Sequence, residues 1–143
     1  MKRIFQKQLT ADKDNVDTNG HVNNVVYVGW MQDVAVDHAI NNGCDQELLA
    51  QFNAIWVARS HYIEYRQPAF EKDKILVETW LASKRRVGCQ RKYRFLRQAD
   101  GELSEGDLLA VAETAWVFVD ALTGRPKKMP DEVTRLFEVV DRE

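Results

Sequence analysis

Val25-Val26-Tyr27-Val28-Gly29-Trp30-Met31-Gln32-Asp33-Val34-Ala35-Val36-Asp37-His38-Ala39-Ile40 is the stretch on which the fold turns. At 3.6 residues per turn it makes about four turns of helix. Its apolar residues do not keep to one stripe. Val25, Val26, Tyr27, Val28, Trp30, Met31, Val34, Ala35, Val36, Ala39 and Ile40 cover nearly the whole circumference, and only Gln32, Asp33, Asp37 and His38 interrupt them. A helix that is apolar all round has to be buried all round, so the rest of the chain must wrap it. Asn23 or Asn24 offers the N-cap, the helix runs to about Asn41, and Gly43 supplies the stop. A short helical turn, Asp45 to Gln51, follows.

The wrapping is legible downstream. From Ala54 onward the chain is strand-like in four long segments, about Ile55 to Tyr65, Lys74 to Ser83, Gly88 to Arg97 and Leu108 to Asp120. Gln67-Pro68, Arg86-Val87-Gly88, Ala99-Asp100-Gly101 with Gly106-Asp107, and Thr123-Gly124-Arg125-Pro126 break them with turn chemistry. Connections this short exclude parallel crossovers, so the strands are antiparallel neighbours. Arg3 to Thr10 is a first strand before the helix, and Pro130 to Val140 a short terminal helix with Val133, Leu136, Phe137 and Val140 at helical spacing. In the last strand both alternating sets are apolar, which allows one face to pack on the helix and the other to meet another subunit. The expected fold is α+β, one antiparallel sheet of about five strands curled around one long helix, in a single domain over 1–143.

Composition narrows the function classes. Twenty Lys plus Arg against 22 Asp plus Glu leave the surface as a whole no electrostatic reason to bind nucleic acid or an anionic membrane. The polar start Met1-Lys2-Arg3-Ile4-Phe5-Gln6 lacks the apolar region of a signal peptide, and Val25 to Met31 is far short of the ~20 residues that span a bilayer. A cytoplasmic protein is expected. Cys44 and Cys89 read as free thiols, and His21, His38 and His61 form no i,i+4 pair, so no metal site is expected. His38, in the middle of the helix, reads as a satisfied core or interface histidine.

Asp17-Thr18-Asn19-Gly20-His21-Val22-Asn23-Asn24 holds the chemistry. A carboxylate sits in a loop feeding the N-terminus of the buried helix, whose first N–H groups have no internal partner and carry the positive end of the helix dipole. Such donors can hold the oxyanion formed when a thioester carbonyl is attacked, while Asp17 attacks the carbonyl or deprotonates a water. The same residues also make ordinary turns and caps. Residues 17 to 27, Asp-Thr-Asn-Gly-His-Val-Asn-Asn-Val-Val-Tyr, closely resemble the signature of the hotdog-fold acyl-CoA thioesterases, in the branch that includes hydroxybenzoyl-CoA thioesterase. Ile63-Glu64-Tyr65-Arg66-Gln67-Pro68-Ala69 resembles the family's strand ending in a Pro-Ala turn, and Val117-Phe118-Val119-Asp120 with Thr123-Gly124-Arg125-Pro126 its last strand and exit loop.

The resemblance implies Asp17 as the catalytic carboxylate, the backbone N–H at about Asn24 as the oxyanion donor, and His21, Asn23 and Tyr27 as residues that shape or hydrogen-bond the site. Many relatives carry a second aspartate two residues before the catalytic one; this chain has Asn15. The resemblance further implies a homodimer joined sheet edge to sheet edge with the active sites at the interface, pairing of dimers into a homotetramer, and Arg59, His61 and Tyr62 as contributions from the partner strand. No cofactor is implied, CoA being part of the substrate. Lys84-Arg85-Arg86, with Arg91-Lys92 and Arg94 nearby, is the densest basic cluster, and guanidinium groups suit the phosphates of CoA; a solvated hairpin end accounts for the cluster equally well. Besides thioester hydrolysis, the sequence admits a non-catalytic acyl-CoA sensor or scaffold of the same fold and an acyl-chain hydratase or dehydratase, although the latter's catalytic-His motif has no obvious match. It does not fix the acyl chain, nor CoA against acyl carrier protein as the thiol carrier.

Overall fold

In a computed structural model of the chain, describing residues 3–98 and 107–142, the elements run β1 (Phe5–Thr10), α1 (Asn24–Asn41), α2 (Gln46–Gln51), β2 (Ala54–Tyr65), β3 (Lys74–Lys84), β4 (Gly88–Arg97), β5 (Leu108–Asp120) and α3 (Asp131–Thr134). The strands form one antiparallel sheet in the order β1-β3-β4-β5-β2. Of the expected turn at Ala99-Asp100-Gly101 and Gly106-Asp107, all but Asp107 lies outside the described residues. The caps of α1 are those the sequence offers: the Asn23 side chain accepts from the Val25 N–H, and Gly43 follows the last turn at a φ of +95°.

The sheet curls so that its concave face receives α1. Tyr27, Met31, Val34 and Ala35 of the helix meet Ile75 and Val77 of β3, Tyr93 and Phe95 of β4, and Ala110 and Ala112 of β5. A second cluster closes the other end, where Leu81, Phe118 and Ala54 meet Met129, Val133 and Phe137 of the C-terminal segment. Burial on this scale, at roughly 25 cal/mol per Å² of apolar surface, is what holds helix and sheet together.

Two expectations need correction. The helix is not covered on all sides: Val25 is 74% exposed, Val36 46% and Ile40 55%. Five strands wrap one side of α1 only, and the exposed Val36 and Ile40 border one cavity with Ile55 of the edge strand β2. The terminal helix stops after Thr134, because the chain beyond it turns to the sheet: Val139 bridges Leu81 in parallel, and the Val140 N–H donates to the Leu81 carbonyl. Lys84 Nζ satisfies the carbonyls of Thr134 and Phe137 at 3.0 and 2.7 Å, which ends the helix.

Strand β2 carries a bulge. Ala58 pairs with Trp116 and Ser60 with Ala115, so Arg59 is the extra residue. Up to the bulge the even-numbered residues, Trp56 and Ala58, lie opposite the helix-facing Phe118 and Trp116. Past it the odd-numbered residues do so, His61 opposite Thr114 and Tyr65 opposite Ala110.

Candidate active site

The loop before α1 is closed by its own carboxylate. Asp17 Oδ1 accepts from the backbone N–H groups of Asn19 at 2.9 Å and His21 at 3.2 Å, while the Asp17 N–H donates to the His21 carbonyl and the Gly20 N–H to the Asp17 carbonyl. Gly20 takes a φ of +79°, where a side chain would strain the backbone. Both side-chain bonds fall on one oxygen, so the turn fixes the carboxylate and leaves Oδ2 to solvent and ligand. Asp17 is exposed.

The loop rests on the turn between β2 and β3. The Val22 N–H donates to the carbonyl of the buried Ala69, His21 bridges Phe70, and the two rings of that pair meet edge-on at 5.3 Å. Arg97 holds this ledge from below: Nη2 donates to the Pro68 carbonyl at 2.5 Å, Nε pairs with Asp73 at 3.0 Å, and the guanidinium lies 5.8 Å from the Phe70 ring centre. Sequence reading assigned Arg97 no role.

At the start of α1 the donors are nearly all spent. The Val25 N–H goes to the Asn23 side chain at 3.0 Å, the Val26 N–H to the Asn23 carbonyl at 2.9 Å, and the Asn23 N–H to the Asn15 carbonyl at 2.8 Å. Among the described residues the Asn24 N–H has no hydrogen-bond partner. The residue that resemblance picks as oxyanion donor is therefore the one whose N–H is left open. The Tyr65 hydroxyl donates to the Asn24 carbonyl at 2.8 Å and so holds the next peptide, Asn24–Val25. Tyr65 was quoted within a strand motif but given no function; an aromatic residue closing a strand beside a Pro-Ala turn is the only signal the sequence carried.

The remaining candidates scatter. Tyr27 is 2% exposed, with its ring edge-on to Trp30, Tyr65 and Phe95 at 5.0–5.3 Å, so its influence on the site is one of shape; burial pushes its hydroxyl up to about 12. On β2, Arg59 stands at the bulge, His61 Nδ1 meets Thr114 Oγ1 at 2.8 Å toward the helix, and Tyr62 faces the opposite side among Trp80, Lys92 and Arg94. These three cannot line one pocket together. Lys84 is held by α3, whereas Arg85 and Arg86 are exposed at the β3–β4 turn with no carboxylate partner among the described residues. That turn lies at the far end of β3 from the Asp17 loop, about 30 Å away at 3.3 Å per residue. The cluster and the loop of one chain therefore do not form one site.

The groups that could bind metal or react by thiol chemistry are quiet. No cluster of three or more His, Cys, Asp or Glu that could hold a metal is found among the described residues. Burial raises the Cys44 thiol and pushes Cys89 to about 11. His38, as expected, is a satisfied core histidine: it is 2% exposed and bonded to Arg91. No helix among the described residues is long and apolar enough to cross a membrane.

The profile of the thioesterase-like superfamily matches residues 12–137. Over 110 residues the chain is 32% identical to oleoyl-acyl carrier protein thioesterase 2 of Arabidopsis thaliana, an alignment covering 72% of this chain and 28% of that protein. Oleoyl-acyl carrier protein thioesterase 1 of the same plant is 30% identical over 136 residues, 90% of this chain and 36% of that protein. The chain thus spans about a third of the length of these relatives. Among solved structures, a 1,4-dihydroxy-2-naphthoyl-CoA thioesterase from Synechocystis superposes with a TM-score of 0.80 at 15% identity, covering 93% of this chain and 94% of that one. A Staphylococcus aureus protein solved in complex with CoA gives 0.84 at 14%, covering 95% and 82%. At these identities the likeness is one of fold, the hotdog arrangement of a sheet wrapped around a helix.

Proposed function

The chain belongs to the thioesterase-like superfamily, and from that membership we propose that it hydrolyses an acyl thioester to the free acid and the thiol carrier, using Asp17 and the start of α1. The observation that carries this reading is the open Asn24 N–H, flanked by donors already satisfied and close in sequence to a carboxylate fixed through one oxygen. A thioester oxygen placed on that N–H gains negative charge as the carbonyl is attacked, and one such donor is worth roughly 10²–10³ in rate. Asp17 supplies the attack in one of two ways. It adds to the carbonyl carbon to give an anhydride that water cleaves, or it takes a proton from the water that adds. In both, the C–S bond breaks, its electron pair leaves on sulfur, and the thiolate is protonated.

The acting unit in this proposal is a homodimer joined through β2. Supporting it, β2 is twelve residues long, stands at the sheet edge, and exposes Ile55 and Val57. Antiparallel pairing of β2 with its copy over the full strand sets Ala54 of one chain opposite Tyr65 of the other. The β3–β4 turn of one chain then shares a sheet end with the Asp17 loop of its partner, which gives Arg85 and Arg86 a route to the phosphates of CoA that the single chain denies them. Similarity to the plant enzymes supports acyl carrier protein as a second carrier.

Incubating the protein with acyl-CoA and acyl-acyl carrier protein substrates of graded length in the presence of a thiol-reactive chromophore tests the reading. Thiol release from at least one series is expected. No release from either overturns it.

A further inference from the structure

The proposed chemistry uses the start of α1 and leaves unexplained a cavity of about 360 Å³ under its other half. The cavity lies between the second half of α1, α2, the first residues of β2 and the turn from β3 to β4. Ala35, Ala39, Trp56, Leu81 and Phe137 give it a mostly apolar wall. Two charged groups at its border are occupied: Lys84 by the carbonyls of Thr134 and Phe137, and Asp45 by the Leu48 N–H at the start of α2. The third is Arg91, which is only 4% exposed and lines the same cavity.

Among the described residues Arg91 is a buried cation without an anion. Its Nη1 donates to His38 Nδ1 at 2.8 Å and to Thr79 Oγ1 at 3.1 Å. A guanidinium cannot accept, so Nδ1 of His38 does, while the other ring nitrogen lies 3.2 Å from the Asn42 side-chain amide. Among the described residues no carboxylate pairs with Arg91, and its Nε and Nη2 donors have no hydrogen-bond partner. An unpaired buried charge is costly, and a carboxylate is the group that best matches the open fork of a guanidinium.

We propose that this cavity receives the far end of the acyl group and that Arg91 selects acyl chains ending in a carboxylate, the monothioesters of dicarboxylic acids. The proposal rests on the thioesterase reading above. Gln32, Val36 and Ile55 border the cavity on the bare side of α1 and β2. In the β2-paired dimer that side faces the other copy's α1 start, so a thioester held there directs its acyl chain inward. The volume admits roughly a dozen heavy atoms at ~30 Å³ each, the share of a water molecule. An eight-carbon diacid fits that size.

The test compares kcat/KM for octanoyl-CoA with that for the CoA monothioester of octanedioic acid, in wild type and in Arg91→Met and Arg91→Lys. Calorimetric binding of free octanedioate is measured alongside and needs no turnover. Wild type should favour the diacid thioester about 10- to 100-fold, the worth of hydrogen bonds to a charged group. Arg91→Met should bring the ratio to about one and abolish octanedioate binding, while Arg91→Lys keeps part of both. Ala39→Phe, which fills the cavity with Arg91 in place, should also abolish binding and serves if Arg91→Met does not fold. Equal rates for the two thioesters in wild type, or an undiminished ratio in folded Arg91→Met, overturn the proposal. Octanedioate binding without hydrolysis of any thioester would overturn the hydrolytic reading and leave the cavity assignment standing; hydrolysis with no diacid preference and no binding does the reverse.

Discussion

Replacing Asp17 by Asn and by Ala separates what the carboxylate does for the loop from what it does for a substrate. In Asp17→Asn the amide oxygen would still place an acceptor where Oδ1 receives the Asn19 and His21 N–H groups, at 2.9 and 3.2 Å. The two bonds lose their charge assistance but survive. A hydrogen bond to a charged group contributes about 1.5–3 kcal/mol and a neutral one about 0.5–1.5; at an exposed turn the low end applies, so with two bonds Asp17→Asn should cost about 2 kcal/mol. Asp17→Ala removes both bonds and should cost about 3 kcal/mol. For a chain of this size each kcal/mol lowers Tm by roughly 2–4 °C, so calorimetry resolves the two variants. Activity should not follow that order. With the amide unable to attack or to accept a proton, both variants should fall by about 10²–10⁴ in kcat, the range general-base catalysis commands, with thiol release as the assay. A graded outcome, in which Asp17→Asn stays within tenfold of wild type while Asp17→Ala is inactive, would make Asp17 a lock for the loop and refute its place in the chemistry.

Tyr65→Phe deletes only the hydroxyl that donates to the Asn24 carbonyl, and the ring stays against Tyr27; kcat should drop about fivefold with KM little changed, the equivalent of ~1 kcal/mol, and an unaltered kcat would remove Tyr65 from the site. Val57→Glu, at an exposed position of β2, should leave the fold intact but give monomers by analytical ultracentrifugation and abolish turnover; full activity in a monomer would end the interface reading. Arg85→Glu with Arg86→Glu should raise KM for acyl-CoA at least tenfold and leave kcat near wild type, an effect that shrinks with added salt; an unchanged KM means the turn is merely solvated. Cys89 makes a pH prediction. Burial lifts its thiol from 9.0 to about 11, so between those values the unfolded chain ionises and the folded one does not. Stability should therefore decline as pH rises from 9 to 11, and Cys89→Ala should flatten that part of the denaturation profile.

The strand limits and both ends of α1 were legible because their signals are local: alternation, turn residues, an Asn cap and a glycine stop. What one chain cannot cover was not legible. Apolar residues all round α1 imply complete burial, yet nothing in Val36 or Ile40 says whether its cover comes from the same chain or from another. The terminal helix was overestimated because Val139 and Val140 have helical spacing and β-branched side chains at once, and pairing with Leu81 decides between the two. For the site, the loop and the cap were readable as a motif, while Tyr65 and Arg97 act from distant parts of the sequence through single contacts. Arg91 looked like one member of a basic run. Strand alternation puts it on the opposite face from Lys92 and Arg94, and its burial beneath the helix is a property of the assembled sheet.

The extra residue at Arg59 bears on which strands β2 accepts. It falls at the middle of the exposed edge, so a flat strand from a foreign protein finds the hydrogen-bonding groups of β2 in step along one half and out of step along the other. A second copy in antiparallel pairing carries the same irregularity at the same midpoint, and the two mismatches coincide. In the proposed dimer the kink would act as a self-recognition mark, discouraging growth of the sheet by unrelated chains while leaving it open to its own kind.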